Sequence, residues 1–177
     1  MALISTTTRL TIRRIEPSDA PFIRALLNTP GWIKYIGDRN VHTDAEALAY
    51  LEKGIFKSYE DNGYGFYQVD LNEGNFPIGI CGIVNRGTLP GPDFGFAFLP
   101  EYMGKGLATE ASLAVLEHVK SDLGIKELYA ITLPDNAPSI RLLEKLGFTN
   151  QGEVQLPNDP DLLLLYHCKL VKDVSEN

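Results

Sequence analysis

The sequence predicts a mixed α/β (α+β) domain: a central twisted sheet, mostly antiparallel, with helices on both faces. Three observations carry this prediction. Two strand-like runs, Tyr64 to Leu71 and Phe76 to Val84, are joined by Asn72-Glu73-Gly74-Asn75, a hairpin connection that requires antiparallel pairing. Between Asp93 and Leu133 the pattern runs strand, helix, strand, which requires a parallel crossover. Amphipathic helical segments precede the hairpin and follow it, so both faces of the sheet can be covered.

Thr8 to Arg14 sets Leu10 and Ile12 against Arg9, Thr11 and Arg13, the two-residue period of a first strand. Pro17-Ser18-Asp19 opens a helix with Phe22, Ile23, Leu26 and Leu27 on its apolar face, and Asn28-Thr29-Pro30 closes it. Gly31 to Asn40 contains the single tryptophan, Trp32, and reads as irregular chain or a short helix. Thr43-Asp44-Ala45-Glu46 has capping-box spacing, in which the threonine hydroxyl and the glutamate carboxylate each accept from the other residue's backbone N–H. The helix it starts runs to about Glu60 and turns Ala47, Leu48, Leu51 and Ile55 inward. After the hairpin, Gly87 to Pro92 leads into a strand from Asp93 to Leu99. From Gly104 the period becomes helical, with Leu107, Ala108, Ala111, Val115, His118 and Val119 on one face as far as Gly124. Lys126 to Leu133 is a strand. Asn136 caps a short helix bearing Ile140, Leu143 and Leu146, which Gly147 stops. Two last strands, near Phe148 to Glu153 and Leu162 to Leu170, are joined by a proline-rich loop. No repeat or linker interrupts residues 1–177, so one domain is expected, with its core at about 8–170.

Hydrophobic residues make up 44% of the chain and charged residues 22%, the proportions of a soluble globular protein. A net charge of −7 without a basic patch argues against a nucleic-acid partner. An anionic ligand then needs a local site of backbone N–H groups and a lysine. Cys81 and Cys168 lie in apolar strand runs without metal-ligand or redox spacing, so packed, reduced thiols are expected, with no metal and a cytoplasmic location. The N-terminus lacks a charged region followed by an apolar stretch, and the longest apolar run, Leu162 to Tyr166, is strand-sized. Neither a signal peptide nor a membrane partner is expected.

The informative segment is Met103-Gly104-Lys105-Gly106-Leu107-Ala108, where a strand hands over to a helix. A helix start leaves N–H groups unpaired and carries a positive dipole end. Gly104 and Gly106 remove the Cβ atoms that would keep a phosphate away, and Lys105 adds charge. A P-loop is excluded because Leu107, not Lys followed by Ser or Thr, comes after Gly106. A dinucleotide fingerprint is excluded because Thr109 stands where its third glycine belongs and antiparallel hairpins precede the loop.

Leu99-Pro100-Glu101-Tyr102-Met103-Gly104-Lys105-Gly106-Leu107-Ala108-Thr109-Glu110-Ala111 resembles the acetyl-CoA motif of the GNAT superfamily of N-acetyltransferases. Asn136-Ala137-Pro138-Ser139-Ile140-Arg141-Leu142-Leu143-Glu144-Lys145-Leu146-Gly147-Phe148 resembles its second signature. Thr8-Arg9-Leu10-Thr11-Ile12-Arg13, followed by Pro17-Ser18-Asp19-Ala20, is similar to the opening of the branch that holds the ribosomal-protein N-terminal (alanine) acetyltransferases. The resemblance covers nearly the whole chain. It implies that the strands Asp93–Leu99 and Lys126–Leu133 splay apart to take the pantetheine arm. Phe96, Ala97 and Phe98 would pair with that arm. Met103, Gly104, Lys105, Gly106, Leu107 and Ala108 would hold the pyrophosphate. Asn136 and Ser139 would flank the far side of the arm, although Asn136 is also an excellent helix cap.

The chain departs from the family pattern twice. Glu101 stands where many members have Gln or Arg, so its side chain is expected to point away from the phosphates. Leu143 stands where many members carry a tyrosine that protonates the departing thiolate, and by analogy with the branch Ser139 is the nearest substitute. The attacking amine must be neutral, which is harder for a lysine amine at about 10.4 than for an α-amino group at about 7.7–8.0. Asp93, where relatives often carry an acid, is the first choice of base; its bland alternative is a solvated turn residue after Gly91-Pro92. The thiol, at about 8.5, needs only a hydroxyl donor such as Ser139.

For the acceptor, the candidates are Trp32 and Tyr35 in the first helical region and Tyr64, Phe66 and Tyr67 at the hairpin, with Tyr67 the first choice there. Period-2 alternation must bury some of these. His42, His118 and His167 form no cluster, and His118 reads as a packed histidine. The leading function is an acetyl-CoA-dependent N-acetyltransferase acting on a protein N-terminus, a polyamine or another small amine. A non-catalytic acetyl-CoA sensor of the same fold is the alternative that Leu143 keeps open. Dimerisation is common in the family, so the resemblance leaves a homodimer open.

Overall fold

The computed structural model describes residues 1–170. In chain order the elements are β1 (Leu3–Thr6), β2 (Leu10–Arg14), α1 (Ala20–Leu27), α2 (Pro30–Tyr35), α3 (Asp44–Leu51), α4 (Lys57–Asn62), β3 (Phe66–Leu71), β4 (Phe76–Val84) and β5 (Asp93–Phe98). Then follow α5 (Leu107–Ser121), β6 (Glu127–Thr132), α6 (Ala137–Lys145), β7 (Thr149–Gln155) and β8 (Leu162–Lys169). The strands form one eight-stranded sheet in the order β1-β2-β3-β4-β5-β6-β8-β7. Every adjacent pair is antiparallel except β5 with β6. This is the mixed, mostly antiparallel sheet the sequence predicts.

Two buried clusters cover its faces. On one, α5 sets Leu107, Ala111, Val115 and Val119 against Leu10, Ile12, Val69 and Ile83. On the other, Ile23, Leu26 and Leu27 of α1 meet Trp32, Ala47, Leu51, Ile55 and the strand residue Ile80. Arg13 ties the second layer to the sheet. Its guanidinium lies 2.8 Å from Asp19, just before α1, and 2.8 Å from Asp70 on β3, with all three side chains nearly buried. Burial would raise the Asp19 carboxyl, but hydrogen bonds from Arg13 and the Glu16 N–H, together with the Arg13 charge, hold it below the usual range.

Several boundaries differ from the sequence expectation for physical reasons. Residues before Thr8 form β1, a half-exposed edge strand without alternation that takes its conformation from β2. Tyr64 and Gly65 stay outside β3, where the Gly65 carbonyl instead accepts from the Ile83 N–H at 3.3 Å. The capping box is present: Thr43 accepts from the Glu46 N–H, while the Glu46 carboxylate accepts from the Thr43 N–H at 2.9 Å. The helix it starts is interrupted at Glu52–Phe56 by a π-helical turn before α4 resumes. Such turns widen a helix locally and recur at functional sites. Among the described residues no helix is long and apolar enough to cross a membrane.

Gly82 shows how closely β3 and β4 approach. A Cβ there would lie 2.2 Å from the Gly65 carbonyl oxygen and 2.6 Å from the Phe66 Cα, both backbone atoms that cannot swing away. Gly82→Ala should therefore lower stability by roughly 1–3 kcal/mol, the usual cost of overpacking. Urea unfolding would read it, and an unchanged midpoint would contradict this packing.

Candidate functional site

The site begins where two parallel strands part. β5 and β6 share a single register pair, Asp93 with Tyr129, reinforced by the Tyr129 N–H donating to the Pro92 carbonyl at 3.0 Å. On its other side β5 is fully paired to β4 from Asp93 to Phe98, and β6 to β8 from Glu127 to Thr132. Beyond Asp93 the β6-facing edge of β5 therefore has no strand partner. Unpaired edge groups seek water or a ligand. A cleft of about 1060 Å³ opens there, lined by Phe94, Phe96, Ala97 and Phe98 of β5 and by Ile131 and Thr132 of β6.

One end of the cleft is the loop entering α5. Gly104 and Gly106 have φ of +72° and +76°, which favour glycine. A Cβ on Gly104 would meet nothing within 4 Å, and one on Gly106 only the Arg9 guanidinium at 3.5 Å, so the space above the loop is open. Gly106 is the N-cap of α5 and no side chain caps that helix, leaving its first N–H groups free. The loop is held from behind. Arg9 donates to the Lys105 carbonyl at 3.0 Å and to Glu110 at 2.6 Å, and Thr7 also donates to Glu110 at 2.6 Å. These bonds outweigh burial and hold the Glu110 carboxyl below its usual range. Such a rigid, uncapped cradle fits a pyrophosphate.

The other end is marked by Asp93, which is 2% exposed. Arg86 Nε lies 3.1 and 3.0 Å from its two oxygens. Burial pushes the Asp93 carboxyl above the ordinary range, and Arg86 offsets only part of that shift. Tyr50 of α3 also lines this end. Burial raises its phenol, while Arg39 beside the hydroxyl, and Arg86 more distantly, draw it back.

The α6 wall carries Asn136, Ser139 and Leu143. Asn136 caps α6, its side chain accepting from the Ser139 N–H at 3.4 Å. Leu143 is 1% exposed, an aliphatic wall rather than a donor. Glu101 is exposed and outside the lining, as expected. Trp32 and Tyr35 face the cleft from α2, supported by the π-turn residues Lys53, Gly54 and Ile55. The buried Trp32 Nε1 and Thr132 Oγ1 have no hydrogen-bond partner among the described residues, and both residues line the cleft. Unsatisfied buried polar atoms at a cavity wall suit a ligand or ordered water.

Most of the sequence-predicted residues are brought together here: Asp93, Phe96, Ala97, Phe98, Met103, Gly104, Gly106, Ala108, Asn136, Ser139, Trp32 and Tyr35 all line the cleft. Three do not. Lys105 lies in the cradle backbone, but its ammonium sits 5.6 Å from the Tyr102 ring centroid, and Leu107 is packed in the core. Tyr67 corrects the acceptor expectation: it is 0% exposed on the α5 face, stacked on Tyr59 and edge-on to His118. Alternation along β3 turns Phe66 to the cleft instead. His118 is packed, its Nδ1 2.6 Å from Asp122. Cys81 and Cys168 are free and buried, and burial pushes the Cys81 thiol up to about 12. No metal-binding group occurs among the described residues. Arg39, Tyr50 and Arg86 were missed. None left a signal in the sequence; the Val84–Asp93 register of the folded sheet brings Arg86 to Asp93.

Comparison with known proteins agrees with this geometry. The family model described as "Acetyltransferase (GNAT) domain" matches residues 9–149. The uncharacterized N-acetyltransferase YnaD of Bacillus subtilis is 30% identical over 147 residues, 83% of each chain. A ribosomal-protein-S5-alanine acetyltransferase from Vibrio fischeri is similar in fold, with a TM-score of 0.80, 19% identity and 100% of each chain covered. RimL, a ribosomal alpha-N-protein acetyltransferase in complex with coenzyme A, has a TM-score of 0.76 at 20% identity, covering 94% of this chain and 97% of its own.

The Arg86–Asp93 pair makes a pH-dependent prediction. Because folding raises the Asp93 pKa, its contribution to stability is greatest below the ordinary aspartate range and is lost as pH rises through the folded value. Arg86→Ala should raise that pKa further and destabilise the protein at pH 8 by about 2 kcal/mol, below the range for wholly buried pairs because Arg86 is 43% exposed. The loss should shrink at pH 5 and largely vanish in Arg86→Ala/Asp93→Asn. Equal losses at both pH values in denaturant titrations would contradict it.

Proposed function

Since the chain belongs to the GNAT acetyltransferase family and is an N-acetyltransferase, we propose that it transfers an acetyl group from acetyl-CoA to a primary amine by direct attack within a ternary complex. The observation that carries this reading is the single register pair between β5 and β6, which leaves a strand edge free along a cleft with an anion cradle at one end and a buried carboxylate at the other. The coenzyme A bound to the structurally similar RimL supports the choice of donor.

In this reading the free N–H groups at the start of α5 bind the pyrophosphate, and the unpaired edge at Phe96, Ala97 and Phe98 pairs with the amides of the pantetheine arm. The acetyl thioester then lies toward Asp93. The amine nitrogen attacks the thioester carbonyl, a C–N bond forms and the C–S bond breaks. Asp93 takes the amine proton, directly or through one water, and its raised pKa makes it a stronger base than an exposed aspartate. Ser139 donates a hydrogen bond to the departing thiolate. No protein acceptor for its hydroxyl occurs among the described residues, and a thiolate of ordinary basicity needs no stronger acid. Leu143 keeps water from that side. With the enzyme class given by the family, the missing tyrosine concerns proton handling and not whether the chain is an enzyme. The acceptor is a protein N-terminus, a polyamine or another small amine, in line with the acceptor named for the Vibrio fischeri neighbour.

Thiol release from acetyl-CoA with a panel of amines and N-terminal peptides tests the reading, and tight CoA binding without turnover on any of them would overturn it. Gly104→Val puts a branched side chain into the cradle at a positive φ and should weaken CoA binding at least tenfold, about 1.4 kcal/mol by calorimetry. Unchanged affinity in the folded variant would contradict the assigned loop.

Asp93→Asn should cut the rate most near neutral pH while leaving CoA affinity close to wild type. The wild-type acid limb should lie above the ordinary aspartate range. An identical pH–rate profile in the variant would remove Asp93 as the base.

A further inference from the structure

The charges at the Asp93 end of the cleft constrain what kind of amine can be received there. At about 3.3 Å per residue, β5 extends roughly 17 Å from Asp93 to Phe98, and the cradle lies beyond Phe98. Cations near Asp93 are therefore too far from the cradle to serve the pyrophosphate. Two guanidiniums stand at this end, Arg39 and Arg86, and both also line a second cavity of about 550 Å³ that continues from the cleft toward the β7–β8 loop. Arg86 is committed to Asp93 at 3.0 Å. Arg39 makes no ion pair among the described residues.

Neither nearby carboxylate is ion-paired with Arg39. Asp38 turns back to accept from the Asn40 N–H at 2.8 Å, and Asp159, across the second cavity, accepts from the Asp161 N–H at 2.9 Å. The only other acid lining the main cleft, Asp61, is paired with Lys57 at 2.8 Å. A polyamine would bring further cations toward two guanidiniums, and both acids lining the main cleft are already ion-paired. An acceptor with an anionic group a few bonds from its amine would give Arg39 a bidentate partner while the amine turns to Asp93.

We propose that the acceptor is an amino-carboxylate, a primary amine carrying a carboxylate within a few bonds, and that Arg39 on the loop between α2 and α3 is the residue that selects it. This rests on the reading that transfer occurs at the Asp93 end of the cleft. The same chemistry is offered by a free α-amino acid and by a peptide whose first residue is Asp or Glu, and the Tyr35 ring beside Arg39 supplies an apolar wall to either.

Thiol release would be compared for matched pairs differing only in the anionic group: alanine and glutamate against their amides, and peptides beginning with Asp or Glu against those beginning with Asn or Gln. Wild type should favour the carboxylate member by at least tenfold in kcat/KM in one of these sets, and the set that responds identifies the source. Arg39→Ala should cut that ratio at least tenfold through the acceptor KM, Arg39→Lys should restore part of it, and Arg39→Glu should reverse it toward spermidine. Arg39 is exposed, so unfolding midpoints should stay at the wild-type value and exclude misfolding as the cause. Turnover on neutral amines without any carboxylate preference, or a preference that survives Arg39→Glu, overturns this proposal alone. CoA binding without turnover on any amine overturns the transferase reading and this proposal with it.

Discussion

Everything at the site depends on two parallel strands that meet once and then separate. β5 and β6 are each paired along their outer sides, by β4 and β8, so the groups facing the gap are left for water or a ligand. Their crossover through α5 brings them together at Asp93 and Tyr129. Past that point Phe94 stacks on Phe148, 5.8 Å between centroids, and Phe148 packs with Leu143 in the same core cluster. The wedge of α6 and its following residue thus fills the base of the gap. An open strand edge is usually a liability. Here it lies inside a cleft between the two halves of the sheet.

The gap also organises charge. The protein carries a net −7, yet the carboxylates in its cleft are few and each is matched with a cation. The cradle needs no countercharge from an acid, because Glu110 is turned outward to Arg9 and Thr7 and stiffens the loop from behind. At the opposite end, burial and Arg86 act on Asp93 in opposite directions. Burial prevails, leaving a carboxyl that resists ionisation more than a surface aspartate while still held in a fixed orientation. The cleft thus has free helix N–H groups at one end and a buried carboxyl held by a guanidinium at the other.

How much of this could be read from the sequence follows the distance over which each feature is encoded. The cradle was legible because glycines, helix start and lysine lie within six adjacent residues, and the Thr43 and Asn136 caps were legible for the same reason. The splay needed the order of two motifs as well as their presence. Orientation within β3 was not legible: alternation says that Phe66 and Tyr67 face opposite ways but not which faces the cleft, and packing by Tyr59 and His118 decides it. The π turn leaves no pattern a helical period would reveal. Arg39, Tyr50 and Arg86 come from a loop, a helix and the loop after β4, and only the fold brings them together. The side-chain direction of Lys105 is likewise not encoded locally: its ammonium lies 5.6 Å from the Tyr102 ring centroid.

Proton handling is where the chain departs most from the pattern it otherwise follows, and the fold explains why the departure is tolerable. At position 143 the cleft wall is an aliphatic side chain, 1% exposed and packed in the same cluster as Phe148, so no proton donor stands there. Ser139 lies one helical turn earlier on the same wall of the cleft, with its backbone N–H already engaged by the Asn136 cap and its hydroxyl left over. A thiol of pKa about 8.5 leaves nearly as readily with a hydrogen bond as with a full proton. The harder transfer is on the amine side, where the nucleophile is inert until deprotonated. In the proposed mechanism that step falls to Asp93, the deeply buried carboxylate among the described residues of the cleft.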